Sequence, residues 1–150
     1  TKDDDASLSG VELLAARYLR ARNAGSQIQL LGVVLFDTNP RATARNREVF
    51  DQVHDLLEGS GADPFETFIR SDRAAAVDLR TRHLTPLELV EVAESDQKNR
   101  LQRLRVKGKA AERLWSRDPS GLASDYQALT REILSRVSSA ERSRTKGGVA

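Results

Sequence analysis

The first stretch with chemical potential is Thr38-Asn39-Pro40, which follows the apolar run Ile28 to Phe36 (IQLLGVVLF). Such a run, bounded by turn residues, reads as a strand buried on both faces of a parallel sheet. Open parallel sheets hold ligands just beyond the carboxyl ends of their strands, so Asp37 to Pro40 is the expected ligand loop. The plainer reading is a strand-to-helix turn, for which Asn and Pro are ordinary choices. The second stretch is basic. Gln97 to Arg117 holds Lys98, Arg100, Arg103, Arg105, Lys107, Lys109, Arg113 and Arg117 against one acid, Glu112, whereas Leu84 to Asp96 holds only acids, Glu88, Glu91, Glu94 and Asp96. This asymmetry points to a polyanionic partner, nonspecific DNA above all, bound by counterion release and therefore sensitive to salt. The competing reading is a solvated helix whose charges only keep it soluble.

Other chemistries are poorly served. The chain has no Cys, which removes disulfides, thiolate catalysis and thiolate metal sites. His54 and His83 stand apart without metal-ligand spacing and read as packing or surface residues. Asp3, Asp4 and Asp5 fail the EF-hand pattern, because Leu8 takes the glycine position and Leu14 the closing glutamate position; they suit a helix start instead. Gly108-Lys109 fails as a phosphate loop, since Arg103 stands at the first glycine and Ala110 at the hydroxyl position. No Ser-His-Asp arrangement has usable local context. Trp115, the only aromatic residue of the basic run, is expected in the core.

The elements that must position these groups follow from periodicity. Ser9 and Glu12 have the spacing of a capping box, and Leu8, Val11, Leu14, Ala15, Tyr18 and Leu19 give one apolar face to a helix that stops near Asn23-Ala24-Gly25. After the strand, Pro40 suits the first turn of a helix carrying Val49, Phe50, Val53, Leu56 and Leu57 to about Gly59. Arg41, Arg45 and Arg47 crowd its start, which suggests a nearby anion or a solvated face. Phe65 to Ile69 reads as a second strand, Ala74 to Leu79 as a short helix. Thr85-Pro86-Leu87-Glu88 opens another helix, with a break expected near Ser95 to Gln97. Asp118-Pro119 starts a last helix with Leu122, Tyr126, Leu129, Ile133, Leu134 and Val137 on its packing face. Residues 138–150 hold one apolar residue larger than Ala and read as a disordered tail. The fold class is α/β, with about two to three strands, several helices and the long helices in the last third.

At 150 residues, 39% hydrophobic and a formal charge of +2, the chain can bury one ordinary core, which points to one domain over 1–137 with an acidic-then-basic helical segment at 84–117. With no apolar run of membrane-spanning length and no leader pattern, a cytoplasmic protein is expected.

Four segments together resemble a known family: Thr1-Lys2-Asp3-Asp4-Asp5-Ala6-Ser7-Leu8-Ser9-Gly10-Val11, Leu31 through Arg41 (LGVVLFDTNPR), Phe68-Ile69-Arg70 with the alanine-rich helix after it, and Asp125 through Leu134 (DYQALTREIL). In order and spacing they resemble the carboxyl-terminal half of the ParA/MinD-type partition ATPases, P-loop NTPase relatives that move plasmids and chromosomes. The resemblance implies a partial P-loop NTPase-like parallel layer. Thr38, Asn39 and Pro40 would take the nucleotide base, with Arg70, Ser71 and Asp72 as the opposite wall. It places nonspecific DNA contacts at Arg41, Arg70 and Arg73, beside Arg103, Arg105, Lys107, Lys109 and Arg113 of the basic run. It further implies ATP-driven homodimerisation, nucleoid association and a cargo-bound partner protein that stimulates hydrolysis. The family's phosphate loop and magnesium-organising aspartate are not in this sequence. ATP and Mg would therefore belong to the full-length family protein, and this chain alone should be inactive. The alternatives are a non-enzymatic nucleic-acid-binding module or a helical protein-interaction scaffold.

Overall fold

The computed structural model of the chain describes residues 1–106, 114–116 and 118–147, without the side chains of 101–106 and 144–147. It is a mostly helical α/β structure with five helices and a small two-stranded parallel sheet among the described residues. Length pointed to one domain, and the chain forms two compact units: Thr1–Arg70 with the chain from Gln127 onward, and Ser71–Tyr126.

In the first unit, helix α1 spans Asp5–Asn23 and starts earlier than the Ser9-Glu12 spacing suggested, because Asp4 is the cap: its Oδ1 accepts the Ser7 N–H at 2.8 Å. A carboxylate at the positive end of a helix outcompetes a later serine. Hydrogen bonds from the Ser7 backbone N–H and then its hydroxyl hold the Asp4 carboxyl below its usual pKa. Val11, Ala15 and Tyr18 are buried one turn apart, while Leu14 is half exposed, so the buried stripe is narrower than the apolar one. The helix ends where expected, with Ala24 as cap and Gly25 in the left-handed region.

The apolar run behaves differently from the expectation. Strand β1 is only Phe36–Thr38, and β2, Ile69–Arg70, pairs with it in parallel. An isolated parallel bridge joins Val33 to Pro64. Between that bridge and the Phe36–Ile69 pair, three steps on one chain face five on the other, so the ladder cannot stay in register. Burial is also one-sided: Val33 and Leu35 are buried, whereas Ile28 is 69% and Phe36 43% exposed. The run is thus not a strand covered on both faces. Helix α2, Thr43–Leu56, begins after Pro40 rather than at it. Its Val49, Phe50 and Val53 join Val11, Ala15, Val33, Leu35 and Leu57 in one core.

Helix α5, Ser120–Gly147, starts in the second unit and locks the irregular ladder of the first. The Glu132 carboxylate accepts the backbone N–H groups of Glu66 (2.9 Å) and Thr67 (3.0 Å). Arg136 donates to the carbonyls of Leu31, Asp63 and Pro64, pairs with Glu132 and lies 4.1 Å from the centre of the Phe65 ring. These side chains take the place of the missing ladder bonds, since buried peptide groups need partners. α5 also runs through residues 138–147, where composition suggested disorder; Ala, Glu and Arg favour helix, and Ser139 and Ser143 bond back to the carbonyls four residues earlier.

In the second unit, α3 (Arg73–Arg82) is capped by Asp72 through the Ala75 N–H at 2.9 Å and closed by His83 in the left-handed region. α4 (Pro86–Val106) opens with the expected capping box: Glu88 accepts the Thr85 N–H at 2.7 Å, and the Thr85 hydroxyl accepts the Glu88 N–H at 3.3 Å. The backbone and hydroxyl hydrogen bonds from Thr85 hold the Glu88 carboxyl below its usual pKa. The expected break at Ser95 to Gln97 is absent. No Gly or Pro stands there, and Asp96 pairs with Arg100 one turn on at 2.9 Å. Trp115 is 74% exposed, not in the core; Leu114 and Ser116 beside it are buried, and the buried Asp78 accepts the Ser116 N–H at 2.7 Å.

Two outcomes test this account. Gly32 sits at φ 150 and a Cβ there would run into the Asp63 carbonyl, the Arg136 guanidinium and the Phe65 ring. Gly32→Ala should therefore cost about 1–3 kcal/mol, whereas Gly10→Ala, in open space on α1, should stabilise by about 0.5–1 kcal/mol; denaturant titration reads both. The second outcome concerns Glu132. Burial alone would raise its pKa, but hydrogen bonds from Glu66, Thr67 and Arg136 outweigh that and hold it below the usual 4.5. A depressed carboxylate stabilises the fold above its unfolded pKa and loses that contribution as pH falls through the folded value. Melting temperature should therefore drop below about pH 4.5, and Glu132→Gln should flatten that part of the profile.

Candidate functional site

The carboxyl ends of β1 and β2 lie side by side, with Thr38 and Arg70 as register partners. This brings Thr38, Asn39, Pro40 and Arg70 to one end of the sheet. Ser71 and Asp72 follow directly in the chain and open the second unit, where the Asp72 carboxylate serves as the α3 cap.

Asp37 decides what the loop presents. It has φ 61, the left-handed region, in the middle of β1, at the point where the register is irregular. Side chains of a strand alternate, and Val33 and Leu35 point inward, so regular geometry would turn Asp37 into the core. The left-handed residue shifts that phase by one. Thr38 turns inward instead, 9% exposed, and its hydroxyl donates to the Ile69 carbonyl at 3.2 Å. Asp37 stays at the surface and pairs with Lys2 at 2.8 Å. Burying an unpaired carboxylate would cost several kcal/mol, far more than the roughly 1–2 kcal/mol of a left-handed residue.

Asn39 shapes the turn. Its Oδ1 accepts the Arg41 N–H at 3.0 Å, and its carbonyl accepts both the Ala42 N–H at 3.0 Å and Asn46 Nδ2 at 2.9 Å. The Asn39 acceptors are therefore occupied within the protein, and its amide Nδ2 is a side-chain donor without a partner among the described residues. Pro40 and Arg41 are exposed. The periodic reading missed Lys2 and Asn46; Asn46 was legible only as a polar residue within the first turn of α2.

Of the three cations crowded at the start of α2, Arg45 and Arg47 are paired within the chain. Arg45 bonds Glu48 at 3.0 Å, the Asp3 carbonyl at 3.2 Å and the Asp3 carboxylate at 3.9 Å. Arg47 pairs with Asp51 at 3.2 Å and lies 4.9 Å from the centre of the Phe50 ring. His54 faces Asp63 at 3.4 Å on the surface. Of the expected DNA contacts, Arg41 and Arg73 are exposed and Arg70 is half-buried. Arg103 and Arg105 belong to the backbone of α4, and Lys107, Lys109 and Arg113 lie outside the described residues. No group of three or more His, Asp or Glu that could hold a metal is found among the described residues, and no helix among them is long and apolar enough to cross a membrane.

Comparison with family models, with curated proteins and with solved structures yields no match.

The phase shift at Asp37 has a direct test. Asp37→Gly should change stability by less than about 1 kcal/mol, because relief of the left-handed strain offsets the lost surface pair. Asp37→Val, branched at Cβ, should cost about 1–2 kcal/mol. Equal tolerance of Gly and Val in thermal unfolding would refute the assigned backbone.

Proposed function

We propose that this chain is the carboxyl-terminal part of a ParA-like ATPase for plasmid or chromosome partitioning, contributing the base side of an ATP pocket and a nonspecific DNA-binding surface. One observation supports the pocket: two parallel strands with α2 between them in sequence end together, with Thr38 and Arg70 as partners directly before Asn39 and Pro40. That is the end of an α/β sheet at which ligands bind. In this reading the Asn39 amide donates to a ring nitrogen of the base, Pro40 lies against its face, and Arg70 forms the far wall within the same unit. Thr38, with its hydroxyl held by the Ile69 carbonyl, supports the loop from inside. The phosphates and Mg would be held by residues outside this sequence, so the chain contributes recognition rather than chemistry. The DNA reading rests on the basic residues from Lys98 to Arg117 and, each within its own unit, on the exposed Arg41 and Arg73.

The test is an amide-shift titration of the intact chain with adenosine, then with duplex DNA at two salt concentrations. Adenosine should move the resonances of Asn39, Arg41 and Arg70 and leave those of α3 unmoved, with the response lost in Asn39→Ala. No response at Asn39 would reject the base pocket. DNA affinity should fall steeply between 50 and 200 mM salt and be lost when Arg103, Arg105, Lys107 and Lys109 become Ala. DNA binding without any adenosine response would favour the nucleic-acid module instead.

A further inference from the structure

Trp115 is the only tryptophan of the chain and is 74% exposed, although Leu114 and Ser116 on either side of it are buried. Its outward position is built in. The Asp78 carboxylate of α3, itself 1% exposed, accepts the Ser116 N–H at 2.7 Å, and the two buried neighbours fix the backbone so that the indole between them points to solvent. Beside it lies a recess of about 230 Å³, lined by Ala93, Asp96, Gln97 and Arg100 of α4 and by Leu114 and Ser116. The four α4 residues share one stripe at three- and four-residue spacing, which begins with the fully buried Leu89 and reaches the surface at Gln97 and Arg100. Asp96 and Arg100 pair at 2.9 Å, so the recess offers acceptors and donors next to the apolar Ala93 and Leu114. It is smaller than the roughly 300 Å³ at which drug-sized sites begin, which suits the edge of one ring system. The charge nearby favours a polyanion: Gln97 to Arg117 carries eight cations against one acid, and of these Lys98 and Arg100 are exposed.

We propose that this face of the second unit binds single-stranded nucleic acid, with an unstacked base lying on the Trp115 indole, its edge in the recess and the phosphates on the basic residues. This inference rests on the nucleic-acid reading of the basic run and deepens it. An exposed indole is a stacking surface that a base can use once it is free of its own neighbours, whereas a duplex keeps its bases stacked and paired. The Asp96 carboxylate only accepts and the Arg100 guanidinium only donates, which suits an edge with an amino group beside an acceptor. Cytosine has that edge; thymine has no amino group.

Because Trp115 is the only tryptophan, its fluorescence reads this site alone. The intact chain is titrated with end-labelled oligomers of about twelve nucleotides: oligo(dC), oligo(C), oligo(dT), an abasic strand and a duplex. Anisotropy gives affinity, and Trp115 emission gives stacking. A cytosine oligomer should quench Trp115, the tighter of the two identifying DNA or RNA as the source. Oligo(dT) should bind about fivefold more weakly, and the abasic strand and the duplex should bind without quenching. Trp115→Ala should weaken binding of the cytosine oligomer about five- to a hundredfold and leave duplex affinity unchanged, while Trp115→Phe should keep most of the single-strand affinity. No quenching by either cytosine oligomer, equal quenching by the duplex, or unchanged single-strand affinity in Trp115→Ala would overturn the proposal and leave the duplex surface standing. Equal binding of oligo(dT) would overturn the role of the recess. Binding of none of the oligomers would overturn both readings.

Discussion

Burial of Val33 and Leu35 against α1 and α2 is the contact on which the rest of the first unit depends. Both side chains are almost fully enclosed, and with Val11, Ala15, Val49, Phe50, Val53 and Leu57 they make one continuous apolar cluster. Each such side chain contributes about 1.5–3 kcal/mol relative to an exposed one, so the cluster outweighs every surface ion pair nearby. That burial pins the segment despite its poor ladder. The backbone between Val33 and Phe36 is held to its neighbour at few points, and its peptide groups still need partners. Glu132 and Arg136 supply them from α5, bonding to the chain at 31 and from 63 to 67. The apolar cluster fixes where the segment lies; the two charged side chains make the resulting irregular backbone tolerable.

The same economy of geometry governs the loop beyond β1. An inward carboxylate is the costliest outcome available at Asp37, and one left-handed residue avoids it. The consequence reaches the candidate site, because Thr38 becomes a support and Asn39 becomes the first side chain with a donor to offer a ligand. Surface charge around this end is largely neutralised locally, through Lys2 with Asp37, Arg45 with Asp3 and Glu48, and Arg47 with Asp51. Exposed pairs of this kind stabilise by about 0–1 kcal/mol each. Their larger effect is on the field: a polyanion approaching α2 meets paired arginines, whereas the basic residues after Lys98 are opposed by few acids in sequence.

The starts of α4 and α5 and the stop of α1 were legible in the amino-acid order, because their causes are local. Thr85 and Glu88 cap each other across three residues, Asp118 accepts the Ser120 N–H two residues on, and Gly25 closes α1 through its own backbone freedom. The start of α1 was misplaced because two candidate caps, Asp4 and Ser9, stand in the same stretch, and the earlier aspartate wins. Of the candidate site, the position of Thr38-Asn39-Pro40 at a strand end could be read, and the division of labour between Thr38 and Asn39 could not.

What the tertiary structure alone decided shares one feature: the partners are far apart in the chain. The short parallel sheet joins residues more than thirty positions apart, and Arg136 reaches back 105 positions to Leu31. An apolar run states that a segment wants burial, but not which of its faces is covered; Ile28 and Phe36 remain exposed, and Trp115 stays exposed while the smaller Leu114 is buried. Sequence determined the local caps, the helical faces and the demand for a core around Val33 and Leu35. Only the fold could determine which peptide groups find each other across that core, since hydrogen-bond partners for an irregular ladder are a matter of distance in space, not of spacing along the chain.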